Sequence, residues 1–365
     1  MENGAEKPSL SRFGTHRVLE PRGVLPQAAW RLDATPRAYE NEMLCDVDVL
    51  NIDSASFHQI ASVSGDDPER VALHILDNVR MRGKQHNAVT GSGGMFVGRV
   101  REVGPAFDAR GVTTGDHIAS LVSLTLTPLF LERITRVDMD AGRLWVQGTA
   151  ILFESGLFAR LPDDIPIGVA LAVLDVAGAP AQTRKLVLPG HTVVVLGADG
   201  KSGLLVCAQA RACVGPRGRV IGVVPDRSTR GAQLARQEGY VDVLVEADAR
   251  DAVRMENAML VYAPQLADVV INCVNVPGTE LGSILCARSG GTVYFFSMST
   301  SFASAALGAE GIGKDVTMII GNGFTEGHAK IALQTLRDHP ALMQYFAERF
   351  DTAHEERFDT AHEES

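Results

Sequence analysis

From Pro166 onward the chain alternates short, wholly apolar runs with segments of helical periodicity, and that alternation leaves few folds open. Runs such as Val193-Val194-Val195-Leu196 and Val269-Val270-Ile271 have no polar face, which suits strands covered by helices on both sides of a parallel sheet. Strands are expected at 192–196, 219–224, 241–245, 268–274, 292–297 and 316–321, and helices at 203–213, 229–237, 251–262 and 279–287. The expected fold class is α/β, with a doubly wound parallel sheet of Rossmann type over residues 166–323.

Residues 15–165 have another texture. Strand-like stretches at 42–50, 95–103 and 117–126 are separated by the turn clusters Gly91-Ser92-Gly93-Gly94 and Thr113-Thr114-Gly115-Asp116, so this half reads as mostly β. At 365 residues the chain exceeds one ordinary domain, and two domains are expected. A helix at 326–338 precedes an octapeptide, Arg349-Phe350-Asp351-Thr352-Ala353-His354-Glu355-Glu356, that is duplicated at 357–364. One tandem copy cannot build a repeat architecture, so the duplication reads as a solvated or frayed tail.

Charge and composition exclude several function classes. With a formal net charge of −10 and no cluster of Lys and Arg, the chain lacks what a nucleic-acid backbone requires. The longest apolar run, 118–131, is broken by Ser120, Ser123, Thr125, Thr127 and Pro128, so no membrane span is expected. Residues 1–9 show no apolar core behind a basic stretch, and a cytoplasmic location follows as the expectation. The five cysteines, at 45, 207, 213, 273 and 286, show no C-x-x-C pair, which points to reduced thiols and against a four-cysteine zinc lobe.

The most specific motif is Gly197-Ala198-Asp199-Gly200-Lys201-Ser202-Gly203, placed directly after a buried strand and opening a helix. In that setting backbone N–H groups and the positive helix end face a phosphate. Gly197 lets the chain turn, Gly200 lets a pyrophosphate approach, and Gly203 lets helix and strand pack closely, with Lys201 and Ser202 between them as further cofactor-binding candidates. Asp226 follows the next strand at about the 20-residue spacing of the acid that binds an adenosine ribose. That acid favours NAD, whereas Arg227 and Arg230 beside it offer a 2′-phosphate a partner, so NADP stays open. Asn275 and Ser297 follow sheet strands, where the nicotinamide half of such a cofactor lies. Gly200-Lys201-Ser202 also imitates a nucleotide-triphosphatase loop, but Val195 stands where that motif requires glycine.

At this point the chain resembles the medium-chain alcohol dehydrogenase superfamily over nearly its whole length. Gly98-Arg99-Val100-Arg101-Glu102-Val103-Gly104 and Gly115-Asp116-His117-Ile118 look like its signature turns. The resemblance implies a β-rich, GroES-like catalytic domain over 1–165 together with 324–365, and a Rossmann domain over 166–323. More narrowly, four segments look like the L-erythro-3,5-diaminohexanoate dehydrogenase family: 87–95, 120–129, 295–301 and Ile319-Ile320-Gly321-Asn322-Gly323. What that family implies is oxidative deamination of a β-amino acid to 5-amino-3-oxohexanoate in anaerobic lysine fermentation, with a nicotinamide cofactor. Where zinc dehydrogenases place their ligands, this sequence aligns Asp53, Gly94-Met95 and Asp175, which make a poor zinc site and a reasonable pocket for ammonium groups. No metal is expected.

Removing hydride from a carbon that bears an amine requires the amine to be neutral, and a base must take its proton. Asp53 is the first candidate, with the alternative that it caps the turn 54–56. Asp175 is the second acid, Lys84 and His86 lie before the glycine-rich loop within reach of a substrate carboxylate or a proton relay, and Glu154 is a further acid. The expected partner is a small diamino acid, and a homodimer is expected. Two other readings stand beside this one: a zinc-free quinone or enoyl reductase of the same superfamily, and a nucleotide-binding protein without turnover.

Overall fold

A computed structural model of the protein describes residues 10–321 and 323–351. The expectations placed on residues 1–9, on Asn322 and on the repeat beyond Asp351 lie outside the described residues. The chain divides between Leu161 and Pro162 into two units.

The first unit is built on an antiparallel sheet. Its strands are β1 (Val18–Glu20) and β2 (Arg31–Leu32), which pair with each other, then β3 (Glu42–Asn51), β4 (Met95–Val103), β5 (His117–Ser120), β6 (Leu129–Asp138), β7 (Arg143–Phe153) and β8 (Phe158–Arg160). The last six form one sheet in the order β6-β7-β3-β4-β5-β8. Two helices, α1 (Ser54–Val63) and α2 (Pro68–Arg82), interrupt what reads in sequence as a β half. Each has a local cause. Asp53 caps α1; Asp67 caps α2 with Pro68 in its first turn, and Gly83 ends α2 in the left-handed region at φ 64°. Val71, Ile75 and Val79, four residues apart along α2, bury one stripe in the same core as Leu50, Phe57 and Phe96. The expected strand 117–126 stops at Ser120, and 124–126 form a 3-10 turn capped by Ser123, whose hydroxyl accepts from the Thr125 N–H.

At one end of this sheet the chain buries charge. Arg17 and Glu42 are fully enclosed, and the Glu42 carboxylate accepts from Arg17 Nε at 2.9 Å and Nη2 at 2.6 Å, from His16 Nε2 at 2.7 Å and from the Tyr39 N–H at 2.8 Å. Burial alone would raise the Glu42 carboxyl, yet the hydrogen bonds from His16 and Arg17 hold it below the usual carboxylate range.

The second unit opens with α3 (Ile167–Leu174) and α4 (Gly178–Leu186), then winds β9 (Thr192–Leu196), α5 (Lys201–Val214), β10 (Arg219–Val224), α6 (Arg230–Gln237), β11 (Val243–Glu246), α7 (Ala252–Tyr262), β12 (Ala267–Asn272), α8 (Glu280–Cys286), β13 (Ala287–Phe295), α9 (Phe302–Gly311) and β14 (Val316–Ile320). The six strands are parallel throughout, in the order β11-β10-β9-β12-β13-β14. The winding direction reverses between β9 and β12, and the crevice beyond the carboxyl ends of those strands is where such sheets bind ligands. The buried apolar runs behave as expected: Val193 to Leu196 and Val269 to Ile271 are shielded from solvent.

Two helices close the described chain, α10 (His328–Arg337) and α11 (Pro340–Phe350). The segment from 324 differs from its expected place with the β-rich half, because α10 and α11 pack on α3, α4 and α5 within the second unit. Its anchors are specific. Ala332, Leu333 and Leu336 are buried, the Thr335 hydroxyl donates to Gln209 Oε1 at 3.1 Å, and Arg337 grips Asp164 with two bonds of 2.8 Å.

Candidate functional site

In the second unit the glycine turn sits at the point where the winding reverses. Gly197 has φ 74°, and a Cβ there would press on Val274 at 3.2 Å, so both the turn and the neighbouring loop after β12 favour glycine. At Gly203 a Cβ would stand 1.9 Å from the Gly197 carbonyl oxygen, which makes this glycine the hinge of close strand–helix packing. Gly200 is different: its φ of −81° suits any residue, and an added Cβ would meet nothing nearer than 3.5 Å. No side chain caps α5, so its first-turn N–H groups face the open side of Gly200. That arrangement fits a pyrophosphate. Lys201 sends its Nζ to Asp175 Oδ2 at 2.5 Å, and Ser202 hydrogen-bonds Cys273 in the turn after β12.

Beside the turn, a cavity of about 440 Å³ lies over the carboxyl ends of β9, β10 and β12. Gly197, Val224, Pro225, Ala247, Val274 and Val276 give it mostly apolar walls, a fit for an adenosine moiety, while Asp248 and Arg250 are its charged lining. Asp226 is exposed just outside; its Oδ1 accepts the Ser228 N–H at 2.7 Å, and the hydrogen bonds from Ser228 lower its carboxyl. Arg227 donates its backbone N–H to Glu246 Oε2 at 3.2 Å. Arg230 is ion-paired to Glu348 and lies over the Tyr345 ring, so α11 holds the side chain that a 2′-phosphate was expected to engage. Asn275 and Ser297 are brought together through Ser299, whose hydroxyl donates to Asn275 Oδ1 at 2.8 Å and whose N–H donates to Ser297 Oγ at 3.1 Å. Behind them stands Asn272, fully buried at the end of β12, which binds the Thr279 and Ser283 hydroxyls and accepts the Val274 N–H.

In the first unit, Asp53 leaves the end of β3 and caps α1, its Oδ1 accepting the Ser56 N–H at 2.9 Å. The capping alternative is therefore met, and it uses only one oxygen. Oδ2 is buried and meets no hydrogen-bond partner among the described residues, which keeps its lone pairs available. Around it the loop 87–94 is rigidly tied. Asn87 accepts the Val89 and Thr90 N–H groups and donates to the Ser56 carbonyl and Gln59 Oε1, and the Thr90 and Ser56 hydroxyls share a 2.5 Å bond. Gly94 packs so tightly that a Cβ would fall 2.2 Å from the Asn51 carbonyl oxygen. His86 joins the cluster through Thr125, Nδ1 to Oγ1 at 3.3 Å; burial first, then the positive charges of Arg82 and Lys84, lower its pKa and keep the ring neutral.

Three expected site residues stand elsewhere. Lys84 is fully buried, and its Nζ donates to the Pro26 carbonyl at 2.7 Å and the Gln27 carbonyl at 3.3 Å, so it clamps that loop instead of meeting a substrate. Burial lowers its pKa to about 8. Glu154 is exposed at the far end of β7: Asn51 pairs with Arg143 at one end of the β3–β7 ladder and Glu42 with Phe153 at the other. At about 3.3 Å per residue that puts Glu154 on the order of 30 Å from Asp53. Asp175, exposed at the end of α3, has its carboxylate engaged by Lys201, which ties it to the glycine turn. Sequence reasoning passed over Asp248, Arg250, Asn87 and Asn272. Their signal was weak, since each gains its meaning from the strand, helix or loop it meets in the fold.

Among the described residues no three His, Cys, Asp or Glu side chains come together as a metal site, and no helix is long and apolar enough to cross a membrane.

Known proteins add what geometry alone does not. By fold, the chain is similar to a mycobacterial quinone oxidoreductase (TM-score 0.50, 17% identity, 86% of this chain and 82% of that one) and to AibC (TM-score 0.51, 19% identity, 84% of each). Those likenesses support a GroES-like unit joined to a Rossmann unit and nothing finer. Residues 16–162 match the L-erythro-3,5-diaminohexanoate dehydrogenase N-terminal domain, a span that ends where the first unit ends. Over 341 residues the chain is 49% identical to the L-erythro-3,5-diaminohexanoate dehydrogenase of Acetoanaerobium sticklandii, covering 93% of this chain and 98% of that one. The enzyme of the same name from Fusobacterium nucleatum subsp. nucleatum is also 49% identical, over 92% and 98%. The chain belongs to the L-erythro-3,5-diaminohexanoate dehydrogenase family.

Proposed function

We propose that the protein oxidatively deaminates L-erythro-3,5-diaminohexanoate to 5-amino-3-oxohexanoate and ammonia, with NAD preferred to NADP and with no metal. The observation that carries this reading is 49% identity along nearly the whole chain to two dehydrogenases named for that substrate. Likeness to quinone reductases is one of fold alone, and it brings no substrate with it.

When bound, the nicotinamide accepts the hydride that leaves the substrate carbon. The chain's own residues do the rest. The first-turn N–H groups of α5 and Gly200 orient the pyrophosphate, and the cavity beside Pro225 and Val276 takes the adenosine. Asp226, held as a carboxylate by Ser228, supports the choice of NAD, because its charge repels a 2′-phosphate. Asp53 takes the proton from the substrate ammonium on Oδ2, leaving a lone pair on nitrogen for the carbon that loses hydride. Oδ1 stays bound to the head of α1, which fixes the carboxylate while Oδ2 works. Once that proton has passed to solvent, the same oxygen takes a proton from the water that adds to the iminium carbon and returns it to the nitrogen, so that ammonia leaves as the carbonyl forms and the hydroxyl proton goes to the carboxylate. His86, kept neutral, relays protons through Thr125. Asp175 holds Lys201 in place beside the phosphate-binding turn. The absence of zinc is supported by the residues at the ligand positions, Asp53, Gly94 and Asp175, which lack the imidazole and thiolate that zinc favours.

A cytoplasmic homodimer completes the reading. Its support is β14, which ends the parallel sheet beside exposed Ile320 and so offers an edge for a second copy. Light scattering should give twice the chain mass of 39.0 kDa.

The deciding assay follows NAD reduction and ammonia release together. Both should appear with 3,5-diaminohexanoate and be far weaker with a simple alcohol or with a β-amino acid lacking the second amine. Equal turnover of the alcohol, or reduction without ammonia, would sink the proposal.

A further inference from the structure

The adenosine cavity carries a charge arrangement that the glycine turn does not explain. Beyond β11 the chain crosses the carboxyl end of the sheet, with the Ala247 N–H on the Val224 carbonyl at 3.0 Å, and this crossing places Asp248 and Arg250 on the cavity wall that Pro225 also lines. The segment is firmly seated. A Cβ on Gly282 of α8 would stand 2.2 Å from the Ala249 carbonyl oxygen, and Ala247 and Ala249 are buried on either side of Asp248.

Arg250 does not offer a free guanidinium. Its Nε donates to Asp248 Oδ1 at 2.9 Å and Oδ2 at 3.1 Å, its Nη2 donates to Oδ2 at 2.7 Å, and its backbone N–H reaches Oδ1 at 2.9 Å. The carboxylate thus takes the Nε–Nη2 edge of the fork and balances its charge, and these bonds lower the Asp248 carboxyl to about 2, so the pair stays charged at any working pH. The other ionic groups at this edge are Asp226, Glu246, the exposed Arg227, whose backbone N–H binds Glu246, and Arg230, which Glu348 holds away. A 2′-phosphate arriving here meets two acids, the exposed Arg227 and an Arg250 already committed to a third acid.

We propose that the Asp248–Arg250 pair sets the cofactor preference: Asp248 occupies the arginine that would otherwise bind a 2′-phosphate, so that its removal alone opens the cavity to NADP. This rests on the reading of the cavity as the adenosine site of a nicotinamide dinucleotide. The pair acts as a latent phosphate receptor. Arg250 is planar and always charged, and once Asp248 is neutral its fork is free for the doubly bonded geometry that phosphate oxygens accept.

The test measures dissociation constants of NADH and NADPH by fluorescence titration on the full chain, with no turnover required. Wild-type protein should bind NADH more tightly. Asp248→Asn should shift the ratio of the two constants toward NADPH by about tenfold, a modest figure because both side chains are at least half exposed to screening solvent. The gain should shrink as salt rises, and Arg250→Gln on the Asp248→Asn background should abolish it. An unchanged ratio in Asp248→Asn with a wild-type circular dichroism spectrum would overturn the proposal, as would a shift that survives loss of Arg250. If wild-type protein binds neither nucleotide, the cofactor reading itself falls, an outcome plainly distinct from a fixed preference for NADH. Asp248→Ala gives a second route to the same ratio should the asparagine replace the original bond to Arg250.

Discussion

Gly200 and Gly203 stand three residues apart in one turn, and replacing each by alanine should separate binding from folding. At Gly203 the new Cβ would lie 1.9 Å from the Gly197 carbonyl oxygen and 2.8 Å from its carbon, both backbone atoms that cannot swing aside. Helix α5 must then move away from β9 by well over an ångström, and overpacking of that severity costs about 3 kcal/mol. At Gly200 the backbone is extended at φ −81°, ψ 172°, and the nearest atom is 3.5 Å away, so Gly200→Ala keeps the fold to within about 1 kcal/mol and gains slightly from a stiffer unfolded chain. The methyl group instead stands where the pyrophosphate approaches. Losing one charge-assisted bond there, at about 1.5–3 kcal/mol, raises the dissociation constant of NADH by about tenfold to a hundredfold, and Gly200→Val by more. Urea unfolding and calorimetric titration on both variants give the comparison. Wild-type affinity in Gly200→Ala, or a loss of stability equal to that of Gly203→Ala, would refute the assignment of this turn.

Asp53→Asn preserves the cap on α1, since asparagine caps as well as aspartate, but it removes the base. Turnover should fall by roughly a hundredfold and the rate should lose its dependence on pH on the acidic side, whereas unchanged pH dependence would remove Asp53 from the chemistry. Glu42→Gln strands the buried Arg17 guanidinium and should cost about 3–5 kcal/mol in denaturant unfolding. Because the folded state lowers the Glu42 carboxyl, its contribution is present above the ordinary carboxylate range and is lost as pH falls through the lowered value, so the gap between variant and wild type should close in acid. For Lys84 the pH slope has the same sign although the charged form is the one disfavoured: its folded value is also lowered, so between about pH 8 and 10 wild-type stability should rise relative to Lys84→Met, read from urea midpoints. Activity should survive prolonged chelation; loss on chelation with recovery on added zinc would restore the metal reading.

The two halves were unequally legible in sequence. Strands at 192–196 and 219–224 coincide with β9 and β10, because a strand buried on both faces must be apolar at every position and turn residues mark its ends. In the first half, α1 and α2 went unseen although Asp67, Pro68, Gly83 and the four-residue spacing of Val71, Ile75 and Val79 were all present. Neighbouring strand and turn signals outweighed them. Among site residues, the structural roles of Gly197 and Gly203 were legible because a tight turn and close packing act over a few adjacent residues. Glu154 was misplaced for the opposite reason: its distance from Asp53 is set by the ladder between β3 and β7, which sequence order does not display. Lys84 and Arg230 show the same limit, since their partners at Pro26 and Glu348 lie far away along the chain.

The β3–β7 ladder also separates two kinds of vulnerability. At the Glu42 end, fully enclosed ions pin the segment 16–39 to the sheet; at the Asn51 end stand Asp53 and the Asn87 loop. Changes at sites so far apart, sharing no partner, combine additively. An engineer can therefore reshape the loop 87–94 and compensate for the damage by reinforcing the opposite end, without either change undoing the other.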